Sequence, residues 1–140
     1  MLIVDTGPLL ATADRSDPDY TICRRLLEAH PGPLVTTPIM ATEAGWLIRR
    51  ELGIAAETTF YRSIVDGEIT VEDLTGDDWI RIVELLEIYT DLALDAADAS
   101  VIAIAERHRV TTIATLDHRD FQVVRPDHID AFELIPAPST

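Results

Sequence analysis

The chain has 140 residues, 47% of them hydrophobic, and carries 25 acidic against 11 basic side chains, for a net charge of −14 at pH 7. All 11 basic residues are arginine, and the absence of lysine excludes a P-loop, a receiver domain and a phosphatase of the haloacid dehalogenase type. A strongly acidic chain is also a poor general binder of nucleic acid, so a phosphate substrate would need bound cations or local arginines.

Short apolar runs alternate with helical patterns along the whole chain. The predicted strands are residues 1–4, 34–36, 69–71, 110–114 and 132–135. The predicted helices are residues 8–13, 18–30, 39–52, 55–65, 79–91 and 96–108. Because strands and helices alternate, we expect an α/β fold with a mostly parallel sheet that is covered by helices on both faces.

The helix starts carry recognisable capping residues. We expect Pro8 to open the first helix, and Asp17 to cap the second with Pro18 at its first position. Thr37 precedes the third helix and Asp95 precedes the sixth, where each is suited to accept a hydrogen bond from a free backbone N–H. These capping residues predict where each of these helices begins.

Four acidic residues lie shortly after predicted strands or at helix starts. Asp5 ends the first strand, and Asp117 follows the strand VTTIA with two residues between them. Glu43 lies in the helix that starts directly after the second strand, and Asp98 lies in the first turn of the sixth helix. Singly, each has an ordinary explanation as a turn former, a helix-capping acid or an exposed helix residue. Together they favour convergence at the carboxyl edge of a parallel sheet, where ligands of open α/β sheets bind.

Such a cluster of acids predicts a bound cation. Carboxylates about 4 Å apart repel by about 4 kcal/mol at an effective dielectric constant near 20. Oxygen ligands suit Mg²⁺ or Mn²⁺, and the four histidines lack the spacing of a zinc site. A metal ion held by carboxylates activates water and offsets the charge on an attacked phosphate, which indicates phosphoryl chemistry.

Other residues give weaker indications. Thr6 and Thr115 are candidates for positioning a water or a phosphate, although either residue also suits a turn, and Arg119 is a candidate for contacting the substrate. The third and fourth helices carry more large apolar groups than one face of a small sheet needs, and this excess predicts a homodimer. These groups are Trp46, Leu47, Ile48, Leu52, Phe60 and Tyr61.

The compartment is predicted from composition. The single cysteine, Cys23, excludes an internal disulfide framework and a cysteine-based zinc site. No apolar run approaches the roughly 18 residues of a membrane span. The opening MLIVD lacks the basic segment of a signal peptide. We therefore expect a cytoplasmic protein without a membrane segment, with one domain over residues 1–135 and a flexible tail over residues 136–140.

The motifs that carry these acids resemble those of the PIN-domain ribonucleases, and most closely the VapC toxins of toxin–antitoxin pairs. The matching segments cover the chain from Leu2 to Ile135, and their order and spacing are more specific than any one of them. They are IVDTGPLLA, TTPIMATE, LDAADASVIAIAERH and IATLDHRDF.

The resemblance implies a compact PIN-like three-layer α/β/α sandwich with a four-acid Mg²⁺ or Mn²⁺ site. The family's acids fall on Asp5, Glu43, Asp98 and Asp117, and Thr6 matches the hydroxyl residue that follows the first acid. The resemblance further implies an endoribonuclease that cuts structured RNA such as tRNA or ribosomal RNA. It also implies a dimer that is inhibited by a cognate antitoxin, whose C-terminal segment covers the site.

The leading hypothesis is a Mg²⁺-dependent endoribonuclease that acts as a toxin and inhibits translation and growth. In this hypothesis Asp5, Asp98 and Asp117 bind the metal, and Glu43 holds a water at the metal or a second ion. Two alternatives stay open. One is a catalytically silent PIN-like module that binds RNA or protein, and the other is a metal-dependent phosphatase. The RNA-binding surface has only 11 arginines to draw on.

Overall fold

The computed structural model describes residues 1–138 as a five-stranded sheet flanked by seven helices. The strands are β1 (Leu2–Val4), β2 (Leu34–Thr36), β3 (Thr70–Val71), β4 (Thr112–Ala114) and β5 (Glu133–Ile135). The helices are α1 (Thr6–Ala13), α2 (Tyr20–Ala29), α3 (Pro38–Leu52), α4 (Ile54–Val65), α5 (Gly76–Ile88), α6 (Ala96–His108) and α7 (His118–Val123). The strand order is β3-β2-β1-β4-β5, and every pairing between the described strands is parallel, which confirms the predicted architecture.

The two faces of the sheet bury separate apolar layers. Alternate residues of a strand point to opposite faces. Ile3 and Ile113 therefore pack against α5, α6 and α7, whereas Leu2 and Val4 pack against α1, α3 and α4. Burial on both faces explains why the strands are continuous apolar runs rather than alternating patterns.

Helix α6 is the most deeply buried helix. Its residues from Ala99 to Ala105 are all buried, which is the pattern of a helix with protein on every side. Asp98 lies in its first turn and is only half-buried. The apolar body of α6 therefore anchors Asp98 while leaving the carboxylate at the rim of the sheet.

The ends of β1, β4 and β5 meet at one edge of the sheet. The backbone N–H of Asp5 donates to the carbonyl of Ala114 at 2.9 Å, and that of Thr115 donates to the carbonyl of Ile135 at 2.8 Å. These bonds continue the parallel ladder one residue beyond the assigned strands. They fix the backbone that carries Asp5 and Thr115 relative to each other.

The prediction that Pro8 opens the first helix is wrong by two residues. Helix α1 begins at Thr6, and the carboxylate of Asp5 caps it by accepting from the backbone N–H of Thr6 at 2.7 Å. Pro8 lies within the first turn, where the missing N–H costs nothing because the first backbone donors of a helix have no partner inside it.

The prediction that Asp17 caps the second helix is also wrong. Helix α2 begins at Tyr20. The carboxylate of Asp17 accepts from the backbone N–H of Asp19 at 2.8 Å, which forms a local turn of the kind that aspartate often makes. The turn delays the start of the helix by two residues relative to Pro18.

Helix α7 was missed in the sequence. It has only six residues, too few to show a helical period, and Asp117 is its N-cap. The fifth helix starts earlier than predicted, at Gly76, because Thr75 and Asp78 form a reciprocal capping box. The predicted caps Thr37 and Asp95 are confirmed.

Two further findings concern the membrane and the C-terminus. No helix within residues 1–138 is both long enough and apolar enough to cross a membrane. Residues 136–138 belong to no helix or strand. The last two residues of the predicted tail, 139 and 140, lie outside the described residues.

Thr36, the last residue of β2, gives a direct test of the packing. Its side chain is fully buried, and its hydroxyl has no hydrogen-bond partner within the described chain. We expect Thr36→Val to raise the free energy of unfolding by about 1 kcal/mol, because it replaces an unpaired buried hydroxyl by a methyl group of the same shape. Urea denaturation measures the change. Thr36→Ser, which keeps the hydroxyl, should bring no gain, and a less stable Thr36→Val protein would show that the hydroxyl is paired.

Candidate active site

Asp5 is the most firmly held of the predicted site residues. Its side chain is only 5% exposed. One carboxylate oxygen accepts from the backbone N–H of Thr6 at 2.7 Å, and the other accepts from the hydroxyl of Thr115 at 2.7 Å. With a donor on each oxygen, the carboxylate has one orientation at the edge of the sheet.

Glu43 approaches Asp5 from α3. Its carboxylate is half-buried and lies 3.3 Å from the hydroxyl of Thr6, which also contacts the sulfur of Met40 at 2.6 Å, so Thr6 links the start of α1 to α3 through both residues. Burial raises the pKa of Glu43, and the negative charges of Asp95 and Asp5 raise it further against the hydrogen bond from Thr6.

Asp98 belongs to a capping box at the start of α6. Its backbone N–H donates to the carboxylate of Asp95 at 2.9 Å, and its own carboxylate accepts from the backbone N–H of Asp95 at 3.5 Å. Burial raises the pKa of Asp98 to about 8, with the charges of Asp95 and Asp5 as the next causes. The carboxylate is therefore held close to other acids in a poorly solvated place.

Asp117 reaches the same edge from the loop after β4. It is exposed, and its carboxylate accepts from the backbone N–H of Arg119 at 3.3 Å. Its backbone N–H donates to the hydroxyl of Thr115 at 3.0 Å. Thr115 thus contacts both Asp5 and Asp117, and it connects the acid after β1 to the acid after β4.

We call the four predicted acids, Asp5, Glu43, Asp98 and Asp117, the acid cluster, because Asp5 lies within electrostatic reach of each of the other three. Burial raises the pKa of Asp5, opposed by its hydrogen bonds and reinforced by the charges of Asp117 and Asp95. None of the ion pairs among residues 1–138 includes a member of the cluster. Within that range, the cluster therefore lacks a protein cation to neutralise it.

The donor set of the acid cluster fits a hard divalent cation, since it consists of carboxylate oxygens alone. Each carboxylate is turned toward a neighbouring N–H or O–H donor. Within residues 1–138, no three aspartate, glutamate, histidine or cysteine side chains are near enough to hold one ion. Binding would thus require the half-buried or exposed members, Glu43, Asp98 and Asp117, to rotate toward the fixed carboxylate of Asp5.

The remaining candidates occupy different positions. The hydroxyl of Thr6 lies within the site, against Glu43. Thr115 is fully buried and uses its hydroxyl on the two aspartates, so it acts on the acids and not on a group from solvent. Arg119 is exposed and is not among the five arginines that form ion pairs within the described chain.

Sequence reasoning identified Asp95 only as a cap and missed it as a fifth acid of this edge. Its charge is among the causes that raise the pKa of Asp5, Glu43 and Asp98. The available signal is the pair of aspartates three residues apart at a helix start, because a capping box places both carboxylates at the same end of the helix.

The apolar groups predicted on α3 and α4 divide between core and surface. Ile48 and Phe60 are buried, whereas Trp46 is 57% exposed and Tyr61 is 37% exposed. Trp46 lines an open, largely apolar depression of about 640 Å³ whose other walls include Glu43. An exposed apolar surface thus adjoins the acid cluster.

Comparison with known proteins identifies the family. A PIN domain model matches residues 2–125, and the chain belongs to the PIN-domain family. It is 29% identical over 135 residues to Ribonuclease VapC26 of Mycobacterium tuberculosis, and the match covers 96% of this chain and all of that relative.

Solved structures share the fold. VapC20 of Mycobacterium tuberculosis, described as a sarcin-ricin loop cleaving toxin, has a TM-score of 0.75 at 20% identity, over 81% of this chain and 87% of that one. A toxin–antitoxin complex from Klebsiella pneumoniae gives 0.68 at 22% identity, over 92% and 100%. FitAcB from Neisseria gonorrhoeae gives 0.59 at 15% identity, over 96% of each chain. These similarities confirm the predicted PIN-like sandwich.

We expect Mg²⁺ or Mn²⁺ to raise the melting temperature at pH 7, because the ion binds the folded acid cluster and not the unfolded chain. At a hundred times its dissociation constant, the ion adds about 2.7 kcal/mol to the free energy of unfolding. Thermal melts with and without the ion measure this shift.

The Asp98→Asn variant is the control for this measurement. A carboxyl whose pKa is raised by folding stabilises the fold below its unfolded pKa of about 3.9. For Asp98 this contribution is lost as the pH rises through about 8, so at pH 7 much of it has already gone. Without metal, the variant should melt above the wild type, and metal should shift it little. Equal metal shifts in both proteins would contradict a shared site.

Proposed function

We propose that this chain is a divalent-metal-dependent endoribonuclease and the toxin of a toxin–antitoxin pair that acts in the cytoplasm to inhibit translation and growth. The observation that carries the proposal is the acid cluster, whose carboxylates meet at one edge of a PIN fold without a cation from the described residues. The ribonuclease name of the 29% identical relative supports the same activity.

In this proposal Asp5, Asp98 and Asp117 hold Mg²⁺, with Mn²⁺ as a substitute. An ion held by these residues would supply a lower pKa for the attacking water and a positive charge opposite the phosphate. Asp5 provides the fixed ligand, since donors hold both of its oxygens. Glu43, on a separate helix, orients the water or takes part in holding a second ion. The hydroxyl of Thr6 lies beside the Glu43 carboxylate and can donate a hydrogen bond to it.

The substrate in this proposal is a structured RNA, such as tRNA or ribosomal RNA. A sarcin-ricin loop is named as the target of one structural neighbour, VapC20. Arg119 supplies the phosphate contact next to the acids, because it is exposed, lies two residues after Asp117 and makes no ion pair with the described residues. A basic side chain at this point compensates the repulsion between an acidic chain and a polyanion.

We expect Asp5→Asn to lower the rate of RNA cleavage by about 100-fold or more, because the amide keeps the shape but removes the charge that holds the cation. Gel assays on purified, folded protein with Mg²⁺ measure the rate. The matched control is Asp77→Asn, which removes an exposed acid of α5 and should leave cleavage unchanged.

Parallel assays separate the alternatives. Hydrolysis of a generic phosphomonoester in place of RNA would indicate the phosphatase. Binding of RNA without cleavage by the wild type would indicate the silent module. Undiminished cleavage by folded Asp5→Asn protein would remove Asp5 from the site.

The proposed partner is an antitoxin with an arginine and apolar side chains in its docking segment. One structural neighbour supports a protein partner, since it is described as a toxin–antitoxin complex. An arginine can make paired hydrogen bonds to a carboxylate of the acid cluster. The depression lined by Ile39 and Trp46 lies beside Glu43 and can receive the apolar groups.

We expect the antitoxin to bind tightly in low salt and more weakly as salt is raised, because charge attraction drives the contact. The variant with Asp98→Asn and Asp117→Asn together should bind it about ten-fold more weakly or worse, the effect of losing about 1.4 kcal/mol. Calorimetric titration of both proteins checks this. Equal affinities would place the antitoxin elsewhere on the surface.

A homodimer is part of the proposal. The exposed apolar side chains of α5, among them Trp79, Ile80 and Val83, favour a contact with a second copy of the chain. An isologous contact between two copies would cover them.

A further inference from the structure

Two buried hydroxyls connect the helix of Glu43 to the helix of Asp98. Thr37, the N-cap of α3, and Ser100, in the second turn of α6, are both 0% exposed. Their hydroxyl oxygens lie 2.6 Å apart. The contact spans 63 residues of sequence, so neither helix would show it on its own.

The hydrogen bonds around this pair form a chain in which each donor points to the next acceptor, from Met40 through Thr37 and Ser100 to Ala97. The backbone N–H of Met40 donates to the hydroxyl oxygen of Thr37 at 3.1 Å. The hydroxyl of Ser100 donates to the carbonyl of Ala97 at 2.7 Å, so its proton is already used. The hydroxyl of Thr37 therefore donates to Ser100, and each donor has one acceptor. Bonds aligned in this way strengthen one another in a buried environment.

The ends of this chain of bonds lie next to the acid cluster. Met40 is three residues before Glu43, less than one helical turn away. Ala97 is the residue before Asp98. The bonds thus join the first turn of α3 to the first turn of α6.

A positional constraint is needed at this point because the acids themselves push the helices apart. The negative charge of Asp95 raises the pKa of both Glu43 and Asp98, which shows that like charges face each other across the α3–α6 boundary. Apolar packing alone opposes this repulsion but does not fix the position of α3 along α6. A hydrogen bond between the two helices fixes both the distance between its two atoms and their angle.

We propose that Thr37 and Ser100 are positioning residues of the acid cluster, and that their hydroxyl–hydroxyl bond holds the start of α3, the helix of Glu43, against the start of α6, the helix of Asp98, so that a divalent cation can bind. The inference rests on the proposed metal site. Neither hydroxyl contacts the ion or the RNA, since both are fully buried. Their effect is transmitted through the backbone of the two helix starts.

The test uses two variants that break the bond from opposite sides and two that serve as references. Ser100→Ala removes the acceptor on α6, and Thr37→Val removes the donor on α3. Thr37→Ser keeps the hydroxyl and the cap. Thr36→Val changes the adjacent threonine, which is equally buried but has no hydrogen-bond partner within residues 1–138.

We expect Ser100→Ala and Thr37→Val to weaken Mn²⁺ binding and to lower kcat for RNA cleavage, each by about 10- to 100-fold, the usual effect of losing a residue that orients metal ligands. KM for RNA should not change, because the hydroxyls do not reach the substrate. Thr37→Ser and Thr36→Val should behave as the wild type. Electron paramagnetic resonance of free Mn²⁺ measures binding independently of activity.

The outcomes distinguish a failure of the positioning role from a failure of the proposed metal site. If the wild type binds Mn²⁺ and cuts RNA, and Ser100→Ala does so equally well, the positioning role is overturned and the metal site stands. If the wild type does neither, the proposed function fails together with this inference. Should Ser100→Ala not fold, Thr37→Val against Thr37→Ser carries the test, and equal Mn²⁺ affinities of that pair overturn the role.

Discussion

Carboxylates repel one another at one edge of the sheet, and the packing and hydrogen bonds of the fold hold them there despite this repulsion. Asp5 lies there within electrostatic reach of Glu43, Asp98 and Asp117, and no ion pair among residues 1–138 neutralises the four. One close pair of charges costs about 4 kcal/mol at an effective dielectric constant near 20. A domain is typically stable by only about 5–15 kcal/mol. The stability of the domain should therefore depend on the protonation of these acids or on a bound cation.

The apolar layers and the hydrogen bonds stabilise this edge of the sheet in different ways. The buried faces of β1 and β4 and the buried body of α6 keep the chain segments in place. Burial is not directional, so it leaves the carboxylates free to turn. Direction comes from hydroxyl groups: Thr115 on Asp5, Thr6 on Glu43, and the pair of Thr37 and Ser100 between two helices. Hydrogen bonds between separate segments therefore orient the carboxylates, whereas the apolar core only holds the segments together.

Much of this architecture is available from the sequence, because parallel topology has simple consequences. Strands that alternate with helices end at one edge, and this places Asp5 and Asp117 together although 112 positions separate them. The buried helix after Asp95 can also be predicted from the sequence, since it is apolar on every side. Local patterns alone therefore suffice to predict the strands and the helix or strand end that bears each acid.

The errors and omissions have a common physical source. Whether Asp17 caps a helix or closes a turn depends on energies of about 1 kcal/mol that nearby residues settle. Helix α7 is too short to show a period, so the cap at Asp117 resembled a turn. The buried bond of Thr37 to Ser100 and the unpaired hydroxyl of Thr36 depend on distances between segments, which a linear pattern does not contain.

The most direct test of a shared metal site is anomalous diffraction from crystals soaked in Mn²⁺, recorded where manganese scatters anomalously. We expect a difference peak bounded by the carboxylates of Asp5, Asp98 and Asp117, with those of Asp98 and Asp117 turned toward it. The same soak of Asp5→Asn crystals should give no peak there. A strong peak elsewhere on the chain, or none near Asp5 in the wild type at saturating Mn²⁺, would contradict the claim that these acids form one metal site.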